Sequence, residues 1–333
     1  MSARGVILVI TEQRDGKLNR DSYEAIAAAQ KIASETGWSV EAVVVGADVS
    51  AAAGEIAAKK LEKVYQLNSP GLERYTADGY VAALKPFLAE KLPSLVLFPH
   101  TYQVRDFAPK LALALDRPVI SDAVGYKYES STLLFTRQMF QGKFAADVSF
   151  TGDPPYFATI QAGSFRADQA ENRPSPAPIE IVNVVFEINW IRVKPLAMYK
   201  EAKQAVDLTQ AEIIVAVGRG IKEQKNIEVA AKLAEILGGE LAASRPICDA
   251  GWLPIERQIG SSGQTVSPKL YLALGISGAI QHLVGMKGSR SVIAVNKDPE
   301  APIFDIADVA VIGNLLEVVP ALIEEVKKAK AEA

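Results

Sequence analysis

The sequence predicts a two-domain α/β protein. A mostly parallel α/β sheet with appended antiparallel strands is expected over residues 1–195, a linker over 196–210, and a doubly wound nucleotide-binding domain over 211–333. Three observations predict it. At 333 residues the chain is long for a single domain. Short β-branched runs alternate with Ala-rich stretches of helical period, the pattern of right-handed βαβ crossovers. That rhythm breaks off and restarts after a polar stretch bearing Lys194, Lys200 and Lys203.

Taken in order, residues 6–10, 40–45, 64–67 and 95–98 are nearly continuous in apolar side chains and read as strands buried on both faces. Residues 22–35, 51–60 and 77–90 read as the helices between them. The pattern then becomes strand-rich: 132–140, 143–150, 156–161 and 179–186 are strand-like with short links, and Gln141-Gly142 has the composition of a hairpin turn. These are expected as antiparallel additions. Pro174, Pro176 and Pro178 force 171–178 into an extended loop.

Past the linker, strands are expected at 213–217, 240–243, 270–274, 292–295 and 309–312. Asn226 is placed to cap a helix that ends at Leu237, with Glu228 in its first turn and Gly238 just beyond it. Asn314 and Glu317 have capping-box spacing for a final helix running toward Lys327.

Composition excludes several functions. A net charge of −3 does not supply the clustered cations that nucleic acid demands. Cys248 is the only cysteine and His100 and His282 the only histidines, so no set of ligands for zinc or an iron–sulfur cluster is expected. No apolar run approaches membrane-spanning length, and the first run meets Glu12 and Arg14 too soon for a signal peptide. A cytoplasmic protein, or its mitochondrial-matrix equivalent, is the expectation. Cys248 has no neighbouring histidine or second cysteine to activate it.

Ligands of open parallel sheets bind beyond the carboxyl ends of the strands. After the first strand of the second domain stands Gly218-Arg219-Gly220, and after the second Ser244-Arg245. The third is followed by Gly275-Ile276-Ser277-Gly278-Ala279, expected to open a helix that carries Ile280, Gln281 and His282. Asn296-Lys297-Asp298-Pro299 follows the fourth, and Gly313-Asn314-Leu315 the fifth. The loop Gln258-Ile259-Gly260-Ser261-Ser262-Gly263-Gln264-Thr265 is too polar and glycine-rich for a core.

Each piece alone has a plainer reading. Gly218-Arg219-Gly220 does not complete a GxGxxG fingerprint and equally suits a turn. Ser277 and Asn314 could be simple helix caps, His282 a satisfied helix-face histidine, and Arg219 and Arg245 surface ion-pairing residues. Their convergence on one sheet edge supplies hydroxyls, amides, glycines and two cations, which is the inventory for a nucleotide carrying a pyrophosphate. In the first domain, His100, Tyr102 and Arg105 follow a strand; packing or a partner interface explains them as well as a pocket does.

Residues 211–325 closely resemble the C-terminal domain of the electron-transfer flavoprotein alpha subunit. The resemblance is carried by Val217-Gly218-Arg219-Gly220, Ala243-Ser244-Arg245-Pro246, Asp249-Ala250-Gly251-Trp252, Gly275 through His282, and Val295 through Phe304, in the family's order and spacing. Residues 1–190 resemble the family's N-terminal domain more loosely, through the βα pattern and Gln161-Ala162-Gly163-Ser164-Phe165.

The resemblance implies FAD as cofactor, with its pyrophosphate at Ser277, Gly278 and Ala279 and with Arg219 and Asn296 nearby. It implies Arg245 against the isoalloxazine and His282 near the pyrimidine end, both favouring the electron-rich flavin. Ser244, Gly260, Ser261, Ser262, Ile280, Gln281, Asn314 and Leu315 complete the implied site. It further implies a beta-subunit partner, flavin dehydrogenases as donors, a quinone-linked oxidoreductase as acceptor, and a carrier with no catalytic residues. The alternative it leaves open is a subunit of an electron-bifurcating, NADH-linked flavoprotein.

Two positions depart from the family pattern. The usual Gly-Gln-Thr/Ser-Gly loop is here Gly260-Ser261-Ser262-Gly263, which keeps the hydroxyl expected at the flavin N5 and loses an amide. Asn314 stands where some members carry Asp.

Overall fold

The computed structural model describes residues 5–140, 142–186, 191–196 and 207–332. The chain divides into two compact units, Met1–Met198 and Tyr199–Ala333. Most of the expected linker, and Gln141 of the expected hairpin turn, lie outside the described residues.

In the first unit the order is β1 (Val6–Ile10), β2 (Gln13–Arg14), β3 (Lys17–Leu18), α1 (Arg20–Thr36), β4 (Ser39–Gly46), α2 (Ser50–Ala57), β5 (Lys63–Asn68), α3 (Ala77–Lys91), β6 (Leu95–Pro99), α4 (Tyr102–Ala114), β7 (Val119–Glu129), β8 (Thr132–Met139), β9 (Phe144–Val148), β10 (Tyr156–Ile160) and β11 (Ile179–Asn183). Asn19 and Thr76 cap α1 and α3 with side-chain oxygens, and Gly37 ends α1 in the left-handed conformation. The nine-stranded sheet runs β11-β5-β4-β1-β6-β10-β7-β8-β9.

Among the described residues only β8 and β9 join this sheet antiparallel. β10 and β11, expected as antiparallel additions, are parallel: β10 inserts between β6 and β7, and β11 pairs with β5 at the far edge. Local alternation cannot distinguish these pairings, because the partners of β10 and β11 are remote in sequence. Four elements of this unit were not foreseen: the two-residue strands β2 and β3, α4 and the eleven-residue β7. One apolar cluster on each face of the sheet forms the core, around Ile26 and Ile56 on one side and Phe98 and Phe107 on the other.

The second unit contains β12 (Ile213–Val217), α5 (Ile227–Leu237), β13 (Glu240–Ser244), α6 (Arg245–Asp249), β14 (Gln258–Ile259), β15 (Leu270–Leu274), α7 (Ile280–Val284), β16 (Val292–Asn296), β17 (Val309–Ile312) and α8 (Leu315–Glu332). Its six strands are all parallel, in the order β14-β13-β12-β15-β16-β17. The strands alternate sides: Val215, Val217, Leu272 and Leu274 face α5 and α8, while Ile214, Ala216, Tyr271 and Ala273 face the opposite cluster. Gly238 closes α5 with φ +72°. Asn226 does not cap that helix; its backbone is already helical and its side-chain amide donates to the Ile221 carbonyl at 2.9 Å.

Candidate functional site

Loops from the carboxyl ends of the second sheet interlock main chain against main chain. The Gly220 N–H donates to the Gly275 carbonyl at 3.0 Å, and a Cβ on Gly220 would stand 2.6 Å from the Gly275 Cα. Leu315 closes over the same point, since a Cβ on Gly275 would lie 2.8 Å from its side chain. Side chains at 220 or 275 would push the ends of β12 and β15 apart, so glycine here serves loop contact.

The expected helix start at Ser277 is displaced. Gly278 has φ +91°, and the Ile303 N–H donates to the Ser277 carbonyl at 3.1 Å. Both hold 277–279 out of helical geometry, so α7 begins at Ile280 and spans five residues. A Cβ on Gly278 would fall on the Ile303 backbone; passage of that segment is what demands glycine at this position. Ser277, Ala279, Ile280 and Gln281 are exposed.

The polar loop after β14 packs against α7. The Gly260 N–H donates to Gln264 at 3.2 Å, Ser261 N–H to the Gln281 carbonyl at 2.8 Å, and Gly263 N–H to Gly260 at 3.0 Å. Ser262 Oγ accepts from Gln258 Nε2 at 3.0 Å, and both serines are exposed. Ser244 lies beside this loop, in register with Ile259 across the β13–β14 pair.

Beneath the loop sits His282, only 6% exposed. Its Nε2 is 2.8 Å from the hydroxyl of fully buried Tyr271, and its Nδ1 is buried with no hydrogen-bond partner. Burial pushes the imidazole down to about 4, with the Ile259 carbonyl pulling the other way, so the ring is neutral at pH 7. Tyr271 was not foreseen. The available signal was a tyrosine in the aliphatic strand Leu270–Leu274, where a buried hydroxyl requires a partner.

Asn296 ties β16 to the same edge, donating from Nδ2 to the Ile276 carbonyl at 2.9 Å. Arg219 is exposed in the turn after β12 and makes no ion pair among the described residues. Two expected residues have their polar groups directed elsewhere. Arg245, at the start of α6, pairs with Asp249 at 3.2 Å. Asn314 caps α8, accepting from Leu316 N–H at 3.3 Å and donating to Glu317 Oε1 at 2.7 Å. This is a side-chain contact with Glu317, where a capping box would have Glu317 reach the cap's backbone N–H.

Cys248 is half-buried, its thiol facing the Pro254 carbonyl. Burial, then Asp249 and Glu256, push that thiol up to about 11, which leaves it protonated and unreactive. In the first unit, His100 turns to Thr159 (2.7 Å) and Asp122 (3.7 Å), whereas Tyr102 is exposed beneath the Arg105 guanidinium. Among the described residues no three His, Cys, Asp or Glu side chains could hold a metal ion, and no helix is long and apolar enough to cross a membrane.

Comparison with known proteins decides the family. Residues 7–186 match the electron transfer flavoprotein domain, and residues 207–287 match the electron transfer flavoprotein FAD-binding domain. The chain is 40% identical over 322 residues to the electron transfer flavoprotein subunit alpha of Bacillus subtilis, covering 97% of each chain. It is 39% identical over 328 residues to the subunit of the same name from Thermoanaerobacterium thermosaccharolyticum, covering 97% of this chain and 98% of the other.

The chain belongs to the electron transfer flavoprotein alpha-subunit family.

A more distant relative is subunit LctC of the lactate dehydrogenase (NAD(+),ferredoxin) of Acetobacterium woodii, 33% identical over 318 residues, covering 95% of this chain and 76% of that one. The cofactor of the family's second domain is FAD, and the strand-end residues fit it. The loops at this edge carry exposed hydroxyls at Ser261, Ser262 and Ser277, the Arg219 guanidinium and the Gln281 amide, and the buried His282 ring leaves Nδ1 without a hydrogen-bond partner. Such a donor set matches a ligand with a phosphate end and a heteroaromatic end rich in acceptors.

Proposed function

We propose that this chain is the FAD-carrying subunit of a heterodimeric electron carrier. Its partner is an electron transfer flavoprotein beta subunit, its donors are flavin dehydrogenases of the acyl-CoA dehydrogenase type, and its acceptor is a quinone-linked oxidoreductase. The observation that carries this reading is the unpartnered Nδ1 of His282, a buried ring nitrogen beneath the loop that follows β14. A group built to hold a flavin needs such an atom, whereas substrate chemistry would need a nucleophile or general base.

FAD supplies the electron storage when bound. In this reading Ser277, Gly278 and Ala279 receive its pyrophosphate beside Arg219 and Asn296, with Ile280, Gln281 and Leu315 lining the groove. Ser261 and Ser262 approach the flavin from the loop that Gly260 begins, with Ser244 and Asn314 at its margins. His282 donates to the pyrimidine end. Arg245 leaves Asp249 to face the ring; an exposed ion pair of that kind contributes about 0–1 kcal/mol, so the exchange costs little.

The full chain co-purified with its partner would be titrated with reductant while flavin absorbance is followed. FAD that fills in two separate one-electron stages supports the carrier role. A complex that takes up no FAD overturns it.

The similarity to LctC favours a second reading, a subunit of a bifurcating, NADH-linked complex. Two flavins per heterodimer and bleaching by NADH alone would select it; one flavin that is inert to NADH would reject it.

A further inference from the structure

Tyr271 is a polar residue at the centre of an apolar strand. Its neighbours in β15 are Leu270, Leu272, Ala273 and Leu274, and its own side chain is fully buried. A buried phenol loses hydration that a hydrogen bond must replace. Among the described residues the contact recorded for its hydroxyl is His282 Nε2, at 2.8 Å, with the rings edge to face at 62° and centroids 6.2 Å apart.

Burial raises the phenol well above its ordinary range and lowers the imidazole, so both partners are neutral. A neutral phenol carries one hydrogen and a neutral imidazole carries one. Among the described residues the phenol has no other acceptor, so its O–H points at Nε2. Nε2 must then hold a lone pair, and the ring hydrogen resides on Nδ1. The opposite arrangement, Nε2–H donating to the phenol oxygen, would leave the buried O–H without an acceptor.

We infer that Tyr271 is a positioning residue: it locks His282 in the Nδ1–H tautomer and so presents a neutral hydrogen-bond donor to the bound FAD. The inference rests on the placement of His282 at the flavin proposed above. It also specifies how His282 acts, through one oriented N–H and without a full charge. The cationic contribution is left to the guanidinium groups of Arg219 and Arg245.

The chain has two histidines, His100 and His282, so ring-nitrogen NMR of the full-length protein labelled with 15N only at histidine of this chain resolves the question before any cofactor is added. His100→Gln removes the other set of signals. The expected spectrum at pH 7 shows His282 with protonated Nδ1 and unprotonated Nε2, and Tyr271→Phe shifts it toward the Nε2–H form. A wild-type spectrum with Nε2 protonated overturns the inference without recourse to the variant, and so does a tautomer unmoved by Tyr271→Phe.

FAD titration then separates the two readings. Loss of the donor should weaken FAD by about 2- to 10-fold in Tyr271→Phe and shift its midpoint potential, with His282→Gln changing both. If the tautomer is as stated but neither variant alters affinity or potential, the placement of His282 at the flavin fails, and presentation of its donor to FAD fails with it.

Discussion

Asn296 and Ile276, twenty positions apart, are joined by a 2.9 Å hydrogen bond from the asparagine amide to the isoleucine carbonyl. The same side chain accepts from the Asp298 N–H at 3.1 Å. One residue therefore holds the loop after β15 and the turn after β16 together, using donor and acceptor at once. Asn296→Asp keeps the acceptor and sets a carboxylate against a carbonyl. It should cost about 1–3 kcal/mol in urea unfolding, with Asn296→Ala at the lower end of that range. Equal stability of all three proteins would show that the bridge contributes nothing.

Gly278 and Gly238 both have positive φ, at +91° and +72°, but differ in surroundings. A Cβ at 278 meets the Ile303 backbone, whereas one at 238 meets nothing within 4 Å. Gly238→Ala should cost about 1 kcal/mol, from conformation alone. Gly278→Ala adds displacement of a neighbouring strand of chain and should cost at least about 2 kcal/mol, with a correspondingly larger fall in Tm. Matched Tm values for the two variants would contradict this account.

The central strands β1, β4, β5, β6, β12, β15 and β16 were legible because they are largely buried on both faces and so read as nearly continuous apolar runs. Where the reading failed, the deciding contact was distant. β10 looks like one more member of a meander but slots between β6 and β7. α4 was obscured by Arg105, Asp106, Lys110 and Pro109 within its thirteen residues, and β7 by a break at Asp122, which has φ +62°. At the candidate site the residue types were visible and their neighbours were not. Gly220 and Gly275 read as members of a nucleotide-binding inventory, yet they face one another; Tyr271 read only as one residue of a strand, yet it reaches His282.

His282 makes stability depend on pH. Its pKa falls from an ordinary 6.5 in the unfolded chain to about 4 in the folded one. Between those values the unfolded chain binds the proton and the folded chain does not, so the stability present above pH 6.5 is lost as pH falls toward 4. That loss amounts to about 3 kcal/mol in total. His282→Gln removes this contribution, so the stability difference between wild type and variant should narrow or reverse across that window in denaturant titrations. A constant difference from pH 7 to pH 4 would show that the histidine titrates alike in the folded and unfolded chains.

Arg245 offers a test that separates stability from electrochemistry. Its ion pair with Asp249 is exposed, so Arg245→Ala should change unfolding by less than about 1 kcal/mol. If the guanidinium faces the flavin, its loss disfavours added electrons, and the midpoint potential should fall by about 40 mV for each kcal/mol of lost attraction. An unaltered potential would remove Arg245 from the flavin's surroundings.

The loop at 260–263 takes its shape from main-chain bonds to Gln264 and Gln281, from the left-handed Gly260, and from its closure against α7. The side chains add to that path only the bond that Ser262 Oγ accepts from Gln258. Positions 261 and 262 can therefore vary between relatives, or be varied in the laboratory, on a backbone that stays in place. With the flavin placed as proposed, its surroundings can be retuned one side chain at a time without rebuilding the socket.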